Sequence, residues 1–557
     1  MEIIHLSIID WAILLVYIGF VVWMGFYLRK FTKSDEDFFL AGRKNSAWVA
    51  GVAFMSANMG AMEVIGYAGQ SVKYGMYAAH FYLIGAIPAM LFLGLFMMPF
   101  YYKNRIKSIP GYLKERFDEK TRVLNAISFA VMMILVSGIA LYALALVLHT
   151  FLGWNWDLCI WFSAGLVALY VTLSGLLSAI FTEIIQFFLI WAGILLIPIL
   201  GIVELGNPAE VFGKLGDMYT TMWSTSAVPG DNAMMVTWAG LIFGLGFAIS
   251  FGYWTTDFLI IQRAFSAKDL RSARMTPIIG SYFKLLLGVV VVGSGMVALA
   301  LLHDPNSGFQ LLQEGGKVNY DSVMPLLMMR YFPTGMIGVG VTTLVAMFMA
   351  GQAGNMSAFT AVWTYDIYQS VIKKDASQDE LLWMGRAATI VGILLSVAGA
   401  YWARSMPTII DYLQAIASMI LAPSVAIILL GMFMKRLTPN GAFWGMLLGM
   451  GSSCIMFLAL QLGWITPSAI TPSQHASVMA ANFWRAWWAW LISGGFALLI
   501  SFVTQRKPDH ELKGLVKGMS EDDEMSIETE HYVWYRKPEF WAGVTFVIFI
   551  ILNIYFW

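Results

Sequence analysis

The chain has 557 residues, 59% of them hydrophobic and 12% charged, with 22 Trp, 38 Phe and a formal net charge of zero. Soluble proteins carry apolar residues at about half of their positions, so this composition excludes a soluble globule, and the charge balance argues against a polyanionic partner such as nucleic acid. The two cysteines, Cys159 and Cys454, both lie in apolar runs, a placement that predicts neither a disulfide nor a metal site.

Apolar windows of about 20 residues predict an all-α polytopic membrane protein with about fourteen transmembrane helices. The first spans 10–28. Glu2 and Asp10 flank it with no basic leader, so no removable signal peptide is expected. The second, 47–72, is long enough to cross a bilayer yet carries Ser56, Asn58, Gly60 and Glu63 at mid-depth. Irregular backbone survives at that depth only where it lines a cavity, as in the broken helices of carriers. Spans follow at 77–101, 122–150, 157–181 and 184–204. The seventh, 236–262, is interrupted by Gly244, Gly246, Ser250, Gly252 and Thr255-Thr256-Asp257. The remainder fall at 277–302, 335–371, 382–403, 408–434, 440–461, 479–504 and 539–556.

Two interrupted helices about five spans apart have opposite membrane orientation, because that number is odd. This is the sequence trace of an inverted repeat with a solute site between its halves. Glycines that merely let helices pack closely are the competing explanation for either segment alone. The resulting division is an extra helix and cytoplasmic loop (1–46), a first repeat (47–204), an extracellular loop (205–235), a second repeat (236–434) and about three C-terminal helices with an acidic loop (435–557).

Basic residues cluster in alternate loops: Arg29, Lys30, Lys33, Arg43 and Lys44; Lys103 to Lys120; Arg263 to Arg274; Lys373 and Lys374; Lys435 and Arg436; Arg506 to Lys517. The positive-inside rule then puts both termini on the extracellular or periplasmic side of a plasma or inner membrane.

Several short motifs, in order along the chain, resemble the sodium:solute symporter family. They are Phe38-Phe-Leu-Ala-Gly-Arg43, Ser56-Ala-Asn58, Ile109-Pro-Gly-Tyr-Leu-Lys-Glu-Arg-Phe117, Leu173-Ser-Gly-Leu-Leu-Ser-Ala179 with Thr182-Glu-Ile-Ile-Gln186, Ile261-Gln-Arg263 and Asp366-Ile-Tyr368. The resemblance runs from about residue 10 to residue 445 and implies the leucine-transporter fold, a 5+5 inverted repeat, alternating access and a solute driven by sodium. Around the site the sodium/galactose branch is most similar: Tyr253 and Trp254 match its inner-gate tyrosine and neighbouring tryptophan, Lys284 its intramembrane lysine and Gln414 its sugar-facing glutamine.

The residues also make chemical sense by themselves. An ammonium at Lys284, about two turns inside a membrane helix, calls for a cavity, water or an anionic partner, with snorkelling as the bland alternative. Tyr253 and Trp254 offer flat apolar faces with polar tips; interfacial anchoring is the rival role. Gln414 supplies both a donor and an acceptor, which a polyhydroxyl solute can satisfy. This chain departs from the sugar branch at four positions. Tyr82 and Gly85, preceded by His80 and Phe81, stand where that branch has a glutamate and a serine. Glu63 replaces a glutamine and Ser250 an asparagine. Glu63 either substitutes for the missing carboxylate or pairs with Lys284, and in both cases disfavours an anionic solute. The expected substrate site is therefore Glu63, His80, Tyr82, Ser250, Tyr253, Trp254, Lys284 and Gln414.

The resemblance implies a sodium site made of backbone carbonyls at Ser56 and Met59 with Met347, Ala350 and Gly351 on a later helix. Ala350 and Gly351 have no side-chain oxygen, and sodium, a hard cation, wants several oxygens. The sequence thus predicts a weakened ion site, with Ser357 as the nearest replacement hydroxyl and Glu63 or Glu183 as alternative carriers of the coupled charge. A phosphate loop, a His and Cys ligand set and a serine elbow are lacking, so neither an enzyme nor a cofactor is expected. The partners expected are a small solute such as a sugar, sodium or protons, and membrane lipid. A sodium-independent facilitator or proton-linked carrier, a symporter of another small organic solute, and a membrane sensor are the other readings.

Overall fold

The computed structural model describes residues 6–28, 45–104, 109–171, 176–314, 316–406, 408–519 and 533–557. The 38–43 motif, part of the 173–179 motif, the basic residues of 29–44 and the Glu183 side chain lie outside what is described.

Helices dominate because lipid offers the backbone no hydrogen-bonding partner. In chain order they are α1 (Ile8–Leu28), α2 (Ala47–Asn58), α3 (Ala61–Tyr74), α4 (Ile87–Tyr102), α5 (Ile109–Arg116), α6 (Glu119–Leu152), α7 (Trp156–Val171), α8 (Leu176–Ile194), α9 (Leu196–Leu205), α10 (Gly240–Thr256), α11 (Phe258–Phe265), α12 (Leu270–His303), α13 (Val323–Tyr331), α14 (Met336–Ile372), α15 (Gln378–Ser405), α16 (Ile409–Phe433), α17 (Pro439–Gln461), α18 (Val478–Val503) and α19 (Pro538–Tyr555). A two-stranded antiparallel ribbon, β1 (Gln313–Glu314) and β2 (Lys317–Val318), precedes α13. Among the described residues nine helices are long and apolar enough to cross a bilayer, and the bent pair α2–α3 makes a tenth. Four shorter apolar helices, Ile8–Val21, Ile87–Tyr102, Trp156–Ala168 and Gly240–Thr256, stand where the sequence places other spans. Among the described residues ten spans pass on length, and these four occupy the remaining expected places.

Side-chain caps set where many spans begin. Asp118 accepts from the Thr121 N–H at 2.8 Å, Asp269 from Ser272 at 2.6 Å, Thr408 from Asp411 at 3.1 Å and Ser477 from Ala480 at 3.0 Å, each satisfying an N–H that the first turn leaves free. Packing then relies on small residues. A Cβ on Gly138 of α6 would lie 2.6 Å from the Gly399 carbonyl carbon of α15, so these helices cross nearly backbone to backbone. The α6, α14 and α15 helices form one packed group, α2, α8 and α12 another, and α10, α16, α17 and α18 a third.

Candidate solute and ion site

The site begins at a helix that stops in mid-membrane. After Asn58 the backbone leaves the helical region at Met59 (φ −78°, ψ 55°) and is extended at Gly60 (φ −77°, ψ 163°), bending α2 against α3 by 60°. The Met59 N–H closes back onto the Met55 and Ser56 carbonyls at 2.9 and 3.1 Å. The second interrupted segment behaves differently. α10 is a run of π-helical turns over Gly240–Ser250 that continues into an α-helical turn, and the break comes at Asp257, whose backbone is extended (φ −71°, ψ 118°). Gly244 and Gly252 instead admit neighbours: added Cβ atoms would lie 2.4 Å from the Phe483 carbonyl oxygen and 2.9 Å from Leu421.

Both breaks border one hollow, with α6, α12, α14 and α16 as its other walls. It offers about 110 Å³ to the centres of water-sized spheres. Since one water needs roughly 10–15 Å³ by that measure, a solute much larger than water fits. The lining is mostly apolar, from residues such as Met132, Val136, Leu245 and Ile249, and a few polar groups converge on it.

Those polar groups form a chain. Lys284 of α12 is paired with Glu63 of α3 and donates to Asn58 Oδ1 at 2.6 Å. Asn58 Nδ2 in turn donates to the Tyr253 hydroxyl at 2.7 Å. The ammonium also lies 5.2 Å from the ring centroids of both Tyr82 and Trp254, where aromatic faces attract a cation. Lys284 and Glu63 are each 4% exposed, so Lys284 does not snorkel; its charge is met by a carboxylate, an amide oxygen and two rings. Trp254 Nε1 and Ser250 Oγ both donate to the Gly85 carbonyl, at 3.1 and 2.7 Å. Gln414 of α16 lines the hollow, and its buried Oε1 has no hydrogen-bonding partner in the protein.

Of the residues expected around the solute, Glu63, Ser250, Tyr253, Trp254, Lys284 and Gln414 line the hollow. Tyr82 stands behind Lys284, its ring edge-on to Tyr67. The placement of His80 corrects the expectation. The 3-10 turn Gly75–Phe81 rotates this side chain away from the hollow, its Nε2 lies 2.6 Å from the Met222 carbonyl, and Phe81 takes the lining position. Sequence reasoning passed over Tyr67 and Asp257, which also line it. Tyr67 lies one helical turn beyond Glu63 on the same face, a signal that was available.

Met347 and Gly351 of α14 face the α2–α3 break: a Cβ on Gly351 would stand 3.8 Å from Gly60 Cα, and one on Gly60 would stand 4.0 Å from the Met347 carbonyl oxygen. Ser56, Met59 and Ala350 are buried, and Ala350 and Ser357 are not among the lining residues. Asn355, one turn beyond Gly351, does line the hollow. The neighbouring Gln352 is fully buried, with neither amide heteroatom hydrogen-bonded.

A membrane-embedded bundle with a solute-sized hollow between two interrupted helices defines a carrier of the leucine-transporter type. The sodium:solute symporter family model matches residues 38–449, and the chain belongs to that family of transporters. Human sodium/glucose cotransporter 4 is 27% identical over 91% of this chain and 77% of its own length, and a Bos taurus sodium/mannose cotransporter is 27% identical over 99% and 97%. Among solved structures, a sodium-coupled sialic acid symporter in a substrate-bound, outward-open state superposes with a TM-score of 0.72 at 21% identity, covering 90% of this chain and 99% of the other. That likeness is one of fold.

Proposed function

We propose that this protein moves a neutral, polyhydroxylated solute of sugar size by alternating access, with the solute held between Gln414 and the Glu63–Lys284–Asn58–Tyr253 chain. The observation that carries the reading is Gln414, a residue of the cavity wall whose buried amide oxygen has no donor in the protein. A buried acceptor left unsatisfied costs about 1–3 kcal/mol, and a hydroxyl group supplies the missing donor. Tyr253 and Trp254 offer ring faces to the C–H side of a sugar. Glu63 and Lys284 already neutralise each other, so a charged solute would have to break that pair in a site of low dielectric. The sugar names of the relatives agree with this reading.

Sodium is the coupling ion that family membership favours, seated between the α2–α3 break and the Met347–Gly351 stretch of α14. The repeats are 47–204 and 236–434, and the loop charges orient both termini outward across a plasma or inner membrane. A transporter with no enzymatic step accounts for all of these residues. A second reading, weak or absent sodium coupling, rests on Ala350 and Gly351, which bring no side-chain oxygen to the place where the ion would sit. Uptake of labelled monosaccharides into proteoliposomes, with and without an inward sodium gradient, tests both readings. Accumulation only with the gradient supports symport, equilibration without it supports facilitated passage, and no sugar uptake under either condition overturns the substrate assignment.

A further inference from the structure

Above the hollow, toward the end of α3 and the start of α16, the helices close over a second polar cluster. Glu63 and Tyr67 line the hollow, and Gln70 and Tyr74 follow on the same α3 face at helical spacing. On α16, Asp411 lies one turn before Gln414. A third element, the 3-10 turn Tyr320–Ser322, lies directly on α3, because Gly69 has no side chain: a Cβ there would stand 2.7 Å from the Tyr320 carbonyl oxygen. Three separate segments therefore meet at the end of α3, next to the hollow.

Their contacts are polar and mostly buried. Lys73 Nζ donates to Asp411 Oδ2 at 2.9 Å, and the Thr408 hydroxyl donates to the same oxygen at 3.0 Å. Gln70 Nε2 donates to Thr408 Oγ1 at 2.6 Å, the Ile409 N–H donates to Asp321 Oδ2 at 3.0 Å, and Asn482 Nδ2 donates to the Asp411 carbonyl at 3.1 Å. The charged groups facing Asp321 are Asp411 from α16 and Lys73 from α3, and the rings of Tyr74 and Tyr320 lie 4.8 and 6.0 Å from the Lys73 ammonium. Lys73 is thus paired with Asp411 and acts on Asp321 only at longer range. Three buried oxygens in this cluster, Gln70 Oε1, Asp321 Oδ1 and Asp411 Oδ1, have no hydrogen-bonding partner. All three are acceptors when both aspartates are ionised, so the cluster lacks a hydrogen and a positive charge. A single proton supplies both.

We propose that Asp321 is a proton-binding site that latches this mouth of the cavity, holding α3, α16 and the 3-10 turn together when protonated and releasing them when it ionises. Burial and the neighbouring Asp411 push its carboxyl up to about 8, against the opposing pull of the Ile409 N–H and Lys73. The sign follows from the raised value. Asp321 favours the latched form fully below the ordinary carboxylate range, and that contribution falls away as pH rises to about 8. The latch rests on the alternating-access reading but needs no particular solute, and under the proposed orientation it faces the outside.

The full-length protein in proteoliposomes tests it. Ala417→Cys places a thiol on the cavity wall, in a Cys454→Ala background, and a charged, membrane-impermeant thiosulfonate is added to one face or the other from about pH 6 to pH 10. The labelling rate is divided at each pH by that of the same protein carrying Asp321→Asn, which stays neutral, so ionisation of the thiol cancels. From the face bearing the latch the ratio is expected to rise several-fold between about pH 6 and about pH 8, as the remaining contribution is lost, and to level off above that. A ratio that is flat across the range overturns the proposal. If Asp321→Asn does not fold, Asp411→Asn replaces it: with Lys73 left to Asp321 alone, the labelling midpoint should move to lower pH, and an unmoved midpoint overturns the proposal equally. No sugar is present, so failure of the sugar assignment leaves this result unaffected.

Discussion

On one side of the hollow Glu63, Lys284, Asn58 and Tyr253 join α2, α3, α10 and α12 through a continuous chain of polar contacts. On the other, α14 presents Met347, Phe348 and Gly351 to the same space, with the Asn355 amide one turn further on. Both walls flank the break at Met59 and Gly60, yet one is strongly polar and the other has almost no side-chain oxygen. The difference separates two tasks that one broken helix end serves together: a solute can be held by side chains that are already paired, whereas an ion needs oxygens free to replace its water. Here the first set is complete and the second is sparse.

Removing one partner from the polar wall should have the largest effect. Glu63→Ala leaves the Lys284 ammonium buried beside an amide oxygen and two rings, and is expected to lower stability by about 3–5 kcal/mol, read as a drop in the thermal unfolding midpoint in detergent. Glu63→Gln combined with Lys284→Met should recover much of that loss, because no uncompensated charge remains; an equal loss in the double variant would mean that the pair is not the source. Gln414→Ala comes next. It should weaken sugar binding by about 1–3 kcal/mol with little change in unfolding, and unchanged affinity in a folded variant would make Gln414 structural. On the opposite wall, Gly351→Ser adds a hydroxyl where a Cβ meets Gly60 at an ordinary 3.8 Å, and is expected to tighten sodium binding by about 1 kcal/mol, the scale of one additional oxygen contact. Ala350→Ser should do less, since Ala350 is not on the cavity lining. His80→Ala should leave solute affinity unchanged, because that ring serves the Met222 carbonyl.

Much of this plan was legible in the sequence. Ser56, Asn58, Gly60 and Glu63 in an apolar run marked the break, since lipid tolerates none of them, and Lys284 announced a buried partner. Pairing with Glu63 was one of two open readings. The role of Asn58 as a bridge was not legible, because it depends on the 60° bend that brings its two sides to Lys284 and Tyr253. In α10 both explanations offered for its interrupting residues apply: Gly244 and Gly252 serve close packing, and the chain breaks at Asp257. His80 turned away because a 3-10 turn changes the angle between successive side chains. Lys73 and Asp411 lie 338 positions apart, a distance over which no local pattern reports a contact.

The most direct test of the two unequal walls is sodium-dependent sugar uptake in proteoliposomes, measured side by side for the wild type and Gly351→Ser. The account predicts that wild-type uptake saturates only at high sodium, and that Gly351→Ser shifts half-saturation to lower sodium while leaving sugar affinity unchanged. A wild-type site that saturates at low sodium and is not improved by the serine would contradict it.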